Sequence, residues 1–196
     1  MNRLKKEPVD YQAIIAKGDK YTDYTFERSQ QYFALPHSGW NEFLDYWLFG
    51  WALYDWRRLG DAYPDATLFG NGLDFDDVEQ GYGGTCYILA AMNALSEFDD
   101  ILKGIFLTQE KNSAGIYALK MYVRGKPWIV TVDDEFMFYD GKPNFASTGD
   151  KNALWGPIME KAFAKIKGSY AAANGGYTAT GIRALTGVPT FDYVWS

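Results

Sequence analysis

The run Cys-Tyr-Ile-Leu-Ala-Ala-Met-Asn-Ala-Leu, residues 86–95, restricts the fold of this chain more than any other. Asn93 is its only strongly polar residue, and residues 85–98 are apolar nearly all round. A helix with apolar side chains on most of its surface cannot rest on one face of a protein and must be enclosed. The chain therefore needs other elements on several sides of this helix. At 196 residues, with 47% hydrophobic and 18% aromatic content, it has the size and apolar surface to build one such core.

The flanking sequence supplies the enclosing elements. Residues 1–37 are polar with interspersed aromatics and no clean period, which predicts an irregular extension wrapping a neighbour. Residues 38–58, SGWNEFLDYWLFGWALYDWRR, read as a helix with Ser38 as N-cap and a bend at Gly50. Residues 59–80 are rich in Asp, Gly and turn signals and read as a loop. GIYALKMYVR and PWIVTV alternate with period two on either side of the turn RGKP, predicting an antiparallel hairpin that ends in DDEF. FMFY followed by DGKP is expected to add a third strand. In ALWGPIMEKAFAKI, Leu154, Ile158, Phe163 and Ile166 fall near one helical face. A Gly-rich tail, NGGYTATGIRALTGVPTFDYVWS, closes the chain. The fold class is thus α+β, a buried central helix with Cys86 at its N-terminus plus further helices and a small antiparallel sheet.

Charge and cysteine usage exclude several function classes. A net charge of −6 with scattered lysines and arginines offers no basic patch for nucleic acid. The most apolar stretch, residues 46–54, is flanked by charges and falls far short of the roughly 20 residues a bilayer requires, so no membrane span is expected. The N-terminus has no apolar segment behind its basic residues, and a single cysteine forms no intrachain disulfide. Both features point to a reducing, cytoplasmic location.

The single thiol sits where chemistry favours it. In the first turn of a helix, unpaired N–H groups and the positive end of the helix dipole stabilise thiolate over thiol. Gly81, Gly83 and Gly84 let the backbone turn tightly and let an extended substrate approach, and Thr85 is positioned to cap the helix. Gln80, six residues earlier, can aim a side-chain amide at an oxyanion beside the sulfur, with the Cys86 N–H as second donor. The same position also suits a small buried residue that merely begins a helix.

QGYGGTCYILAAMNAL (80–95) resembles the active-site segment of the calpains, papain-like cysteine proteases. In that segment Gln, Gly, two variable residues, Gly, one more residue and Cys lead through an aromatic into the central helix. VTVDDEFMFYDGKPNF (130–145) is similar to the calpain strand-and-turn segment with paired aspartates. ALWGPIMEKAFAKIKGSYAAANGGYTATGIRALTG (153–187) is similar to the helix and Gly-rich segment after it. The three occur in the family's order and span roughly residues 66–188. The resemblance implies residues 1–65 as an aromatic-rich, partly helical N-terminal extension and residues 66–196 as the cysteine-bearing lobe of a papain-like fold.

By this resemblance Cys86 is the nucleophile, Gln80 the oxyanion side chain, and Gly83, Gly84, Gly175 and Gly176 line the cleft for the substrate backbone. A plain turn at Gly175–Gly176 accounts for that pair equally well. Papain-like chemistry also needs an imidazole held by an Asn. In calpains both lie on a second lobe, and this chain ends at Ser196, about where that lobe begins. The only histidine, His37, precedes Cys86 and reads as a surface or loop residue. Calpain lobes bind calcium through an aspartate nine residues before the cysteine, here Asp77, nearby backbone carbonyls, and a glutamate two residues before the helix tryptophan, here Ala153. No cofactor is therefore required, and a calcium site needs Asp74, Asp76 or Asp150 to replace the missing ligand; the alternative is a solvated acidic loop. Thr85 stands where many calpains have Asp, and Tyr87 where they have Trp.

Two function classes follow. In one, the chain is the cysteine-bearing lobe of an intracellular endopeptidase acting on proteins or peptides. In the other, it is a non-catalytic domain serving as a structural or binding subunit of a larger assembly. Acyl transfer or glutamine amidohydrolysis would use the same Cys and oxyanion donor. The terminal run VPTFDYVWS alternates aromatics and suits a sheet edge or groove of another chain, or a return onto its own domain.

Overall fold

Helix α3, Cys86–Ser96, forms where the apolar run predicts it, and among the described residues three later helices pack against it. The computed structural model describes residues 9–28, 54–73, 78–81, 83–139, 141–148 and 153–191. In chain order the elements are α1 (Tyr11–Lys17), β1 (Tyr54–Arg58), α2 (Leu59–Ala62), α3, α4 (Asp99–Lys103), β2 (Ile116–Val123), β3 (Lys126–Asp133), β4 (Glu135–Tyr139), β5 (Lys142–Pro143), α5 (Trp155–Lys167), α6 (Tyr170–Ala173) and α7 (Thr178–Thr186). The architecture is mixed α+β with small antiparallel sheets, as expected.

Tyr87, Ile88, Leu89, Ala91, Met92 and Leu95 of α3 are buried. Cys86, Ala90 and Ala94, spaced four apart, leave one narrow exposed stripe that starts at the thiol. Helix α7 lies against α3 so closely that a Cβ on Gly181 would stand 2.8 Å from the Ala91 Cβ. The Gly-rich tail thus contains a packed helix, built on a glycine that permits the approach.

The predicted hairpin is present as β2 and β3, in register from Ile116 opposite Asp133 to Val123 opposite Lys126. Its two turn residues, Arg124 and Gly125, have φ of 53° and 75°, the left-handed pair that a tight hairpin needs. FMFY does form a strand, but in a second sheet: β4 pairs with β1 and β5 in the order β1-β4-β5. This corrects the helix expected over 38–58 at its C-terminal end, because Tyr54–Arg58 is extended. Asp55 and Arg57 are exposed while Trp56 and Arg58 are half-buried, a period of two that suits a strand. Ser38, Gly50 and His37 lie outside the described residues.

Helix α5 departs most from its expected one-faced form. Every residue from Trp155 to Lys165 is buried, including Glu160, Lys161 and Lys165. The lysines are matched by carboxylates from distant segments. Lys161 Nζ lies 2.6 Å from Asp133 Oδ1 and Lys165 Nζ 2.5 Å from Asp23 Oδ2. The two lysines also donate to the carbonyls of Glu135 and Thr131, respectively. The paired aspartates of DDEF are thereby structural. Asp133 also accepts from the Asp23 amide N–H at 2.7 Å, and Asp134 accepts from Arg58 at 2.8 Å.

The N-terminal segment is tied into the same interior. Asp10 caps α1, the Tyr21 N–H donates to the Ala114 carbonyl, and Phe26 is 1% exposed with its ring 6.2 Å from that of Tyr170. Tyr170 in turn stacks on Phe145, centroids 3.7 Å apart and planes within 9°.

Candidate active site

The exposed Cys86 thiol stands at the head of α3, at the open end of the exposed stripe. Thr85 holds the N-cap position, yet its side chain makes no cap, contrary to expectation. Its hydroxyl donates to Glu160 Oε1 at 2.5 Å, because a fully buried carboxyl group is the stronger acceptor. The first-turn N–H groups of α3 are left without that side-chain oxygen.

The loop before the cysteine is fixed by close backbone approach. A Cβ on Gly81 would lie 2.1 Å from the Phe145 carbonyl oxygen, and one on Gly83 would press on the Phe145 ring at 3.1 Å. Glu79 and Ser147 exchange backbone hydrogen bonds of 3.4 and 3.0 Å, which pins the loop to the 144–148 segment. Gln80 is exposed, and its side-chain amide donates to the Gly83 carbonyl at 3.2 Å. An amide carries two N–H groups, so this bond orients the group and leaves a second donor.

The two glycine pairs meet. The Gly175 N–H donates to the Gly84 carbonyl at 2.8 Å, and the Asn174 side chain fills the space a Cβ on Gly84 would need. Gly175 and Gly176 are exposed, with φ of 72° at Gly175. Tyr87 supports this wall from beneath. Its ring would stand 2.7 Å from a Cβ on Gly176, and its hydroxyl donates to the Ala173 carbonyl at 2.8 Å. Burial, with the charges of Cys86 and Glu160 adding, pushes the Tyr87 phenol up to about 12, so it remains a donor at neutral pH. Hydrogen bonds thus join Gln80 to Gly83 and Gly84 to Gly175, and Gln80, Cys86, Gly175 and Gly176 are exposed, whereas Gly83 is buried against Phe145 rather than lining a cleft.

Asp77, Asp74, Asp76 and Asp150 lie outside the described residues. Ala153 is 0% exposed and bridges to Thr67, so a buried methyl group stands where the resemblance implies a glutamate. A hard cation seeking six to eight oxygens gains none from that side chain, so the position does not fit calcium. Among the described residues no cluster of three His, Cys, Asp or Glu side chains could hold a metal.

Sequence reasoning missed Glu160, Phe145 and Asn174, which brace the loop from behind. Glu160 accepts from Thr85 and, at 2.9 Å, from the Ala146 N–H. Burial pushes its carboxyl up to about 7 against the opposing effect of those two donors. The one available signal was a glutamate amid Ile158, Met159 and Phe163.

A cysteine at the head of an enclosed helix, flanked by two glycine pairs and a side-chain amide, defines a papain-like cysteine-protease lobe. The model of the calpain family of cysteine proteases matches residues 51–194, and the chain belongs to that family. It is 35% identical to Calpain-B of Drosophila melanogaster over 71% of this chain and 16% of that protein. Identity is 33% to the calpain-type cysteine protease DEK1 of Zea mays (89% of this chain, 8% of that protein) and 29% to the Calpain-1 catalytic subunit of Sus scrofa (98% and 27%). The chain thus spans less than a third of each of these relatives.

Proposed function

We propose that this chain is the cysteine-bearing lobe of a calpain-like endopeptidase acting inside the cell on protein or peptide substrates. The reading is carried by one observation: the exposed Cys86 heads α3 beside a wall joined by the Gly84–Gly175 hydrogen bond. The exposed peptide groups of Gly175 and Gly176 suit an extended substrate backbone. Cys86 sulfur, as thiolate, attacks the scissile carbonyl carbon and forms a C–S bond, and the carbonyl oxygen takes the negative charge. The free N–H of Gln80 and the Cys86 N–H stabilise that oxyanion. Collapse expels the amine, which takes a proton from an imidazolium, and water then hydrolyses the thioester. No histidine follows Cys86 in these 196 residues, so on this reading the imidazole is supplied from outside them.

Two measurements test this. Iodoacetamide should label Cys86 in the folded chain at neutral pH, and the 196-residue chain alone should leave a generic calpain peptide intact. An inert Cys86 would remove the nucleophile from the proposal, and turnover abolished by Cys86→Ser would remove the need for an outside imidazole.

A second reading, a non-catalytic lobe working in an assembly, is favoured by exposed apolar side chains flanking α7, one at its start and two beyond its end. Tyr177, Val188 and Phe191 are 60%, 54% and 82% exposed. Sizing under mild conditions decides: a monodisperse particle near 22 kDa with no co-purifying chain excludes it.

A further inference from the structure

Glu160 reaches both walls of the cysteine site from the interior. Its Oε1 accepts from the Thr85 hydroxyl, one residue before Cys86, and its Oε2 accepts from the Ala146 N–H on the segment that grips Glu79 and Gly81. Gly81 packs against the Asn144 and Phe145 carbonyls, and Glu79 exchanges backbone hydrogen bonds with Ser147. Glu160 bonds the head of α3 to that same buried segment. We propose that Glu160 is a positioning residue for the Cys86 site, clamping Thr85 to Ala146 and thereby fixing the loop that carries the nucleophile and its oxyanion donor. The proposal rests on the reading of Cys86 as the reactive thiol.

The groups facing Glu160 are neutral. Helix α3 presents the Thr85 hydroxyl and the Tyr87 phenol, the 144–148 segment presents the Ala146 amide, and α6 presents the Tyr170 phenol. The Tyr170 hydroxyl is buried with no hydrogen-bond partner among the described residues. Lys161 and Lys165, on the same helix as Glu160, are engaged with Asp133 and Asp23. With burial lifting the Glu160 carboxyl to about 7, the clamp changes charge in the neutral range, one residue from the thiol. An ionised Glu160 places a negative charge against Thr85, the residue before Cys86.

The experiment exploits the single cysteine, because alkylation by iodoacetamide then reports one site without peptidase activity. Glu160→Gln keeps both hydrogen bonds, its amide oxygen accepting from Ala146 and its NH2 donating to Thr85, but cannot ionise. Rates from pH 5.5 to 9 should coincide with wild type at the acid end. Above pH 7 the variant should exceed wild type by about threefold or more, the size expected for one nearby charge under partial screening. The wild-type profile should carry an inflection near pH 7 that the variant lacks. Thr85→Val, which removes one jaw of the clamp, should speed amide exchange at residues 83–86 while leaving the β2–β3 hairpin unchanged.

Folded variants that both superimpose on wild type, in rate profile and in exchange, would overturn the proposal. Should Glu160→Gln fail to fold, the Thr85→Val exchange result decides alone. A wild-type Cys86 that never alkylates defeats the nucleophile reading, and the exchange measurement still judges the clamp.

Discussion

Glu160 is buried against neutral donors, whereas Asp133 is buried against the Lys161 ammonium. Burial raises both carboxyl groups, but at Asp133 the Lys161 charge and the Asp23 and Glu135 amides outweigh it and hold the group below its ordinary value. The signs of linkage are therefore opposite. Asp133 supplies stability above the unfolded carboxylate range that is lost as pH falls through its folded value. The Glu160 contribution is greatest below about pH 4.3 and is lost as pH rises toward 7, where the folded chain holds a proton the unfolded chain has released. Glu160→Gln should flatten stability over that interval, removing a slope that totals about 3 kcal/mol, as read by urea unfolding at successive pH values. Asp133→Asn leaves Lys161 without its counter-charge and should cost about 3 kcal/mol or more at pH 7. Adding Lys161→Met should recover much of that loss, and a double variant no more stable than Asp133→Asn would show that the pair is not the cause.

At the scale of elements, helices and strands were legible where the local pattern and the tertiary packing agree. The β2–β3 hairpin was readable because its alternation and its turn demand the same register. Helix α3 was readable because an apolar surface has only one place to go. Helix α5 misled, since Glu160, Lys161 and Lys165 look like a solvated face until Thr85, Asp133 and Asp23 arrive from far along the chain to receive them. Strand β1 was hidden because five residues of period two sit at the end of an aromatic run, and its partner β4 lies about eighty positions away. Within the site, the spacing of Gln80, Gly81, Gly83, Gly84 and Cys86 was open to reading from the sequence and Gly175 and Gly176 entered only through the family resemblance, but the side chains bracing them were not legible. Helix α7 offers a direct check. Gly181→Val would drive a branched side chain into Ala91 and Ile88, and overpacking of this kind should destabilise by about 1–3 kcal/mol in urea unfolding. An unchanged midpoint would mean that α3 and α7 are not in intimate contact.

For the whole molecule, no helix among the described residues is long and apolar enough to cross a membrane. The buried Ala153 methyl group predicts that millimolar calcium leaves the thermal midpoint of this chain within about 1 °C, since a ligand stabilises only what it binds. A calcium-dependent rise of several degrees would point to a site built from Asp77 and its acidic neighbours. The family model matches from residue 51, but the physical back of the cysteine site begins earlier. Phe26 leans on Tyr170, Tyr170 stacks on Phe145, and Phe145 backs Gly83, while Asp23 neutralises Lys165 beneath them. A chain trimmed to residues 51–194 would keep every residue named in the mechanism and lose the rear wall against which those residues are set. Its defect would show first as a slackened, slowly alkylating thiol, so residues 9–28 serve as masonry behind a thiol they never touch.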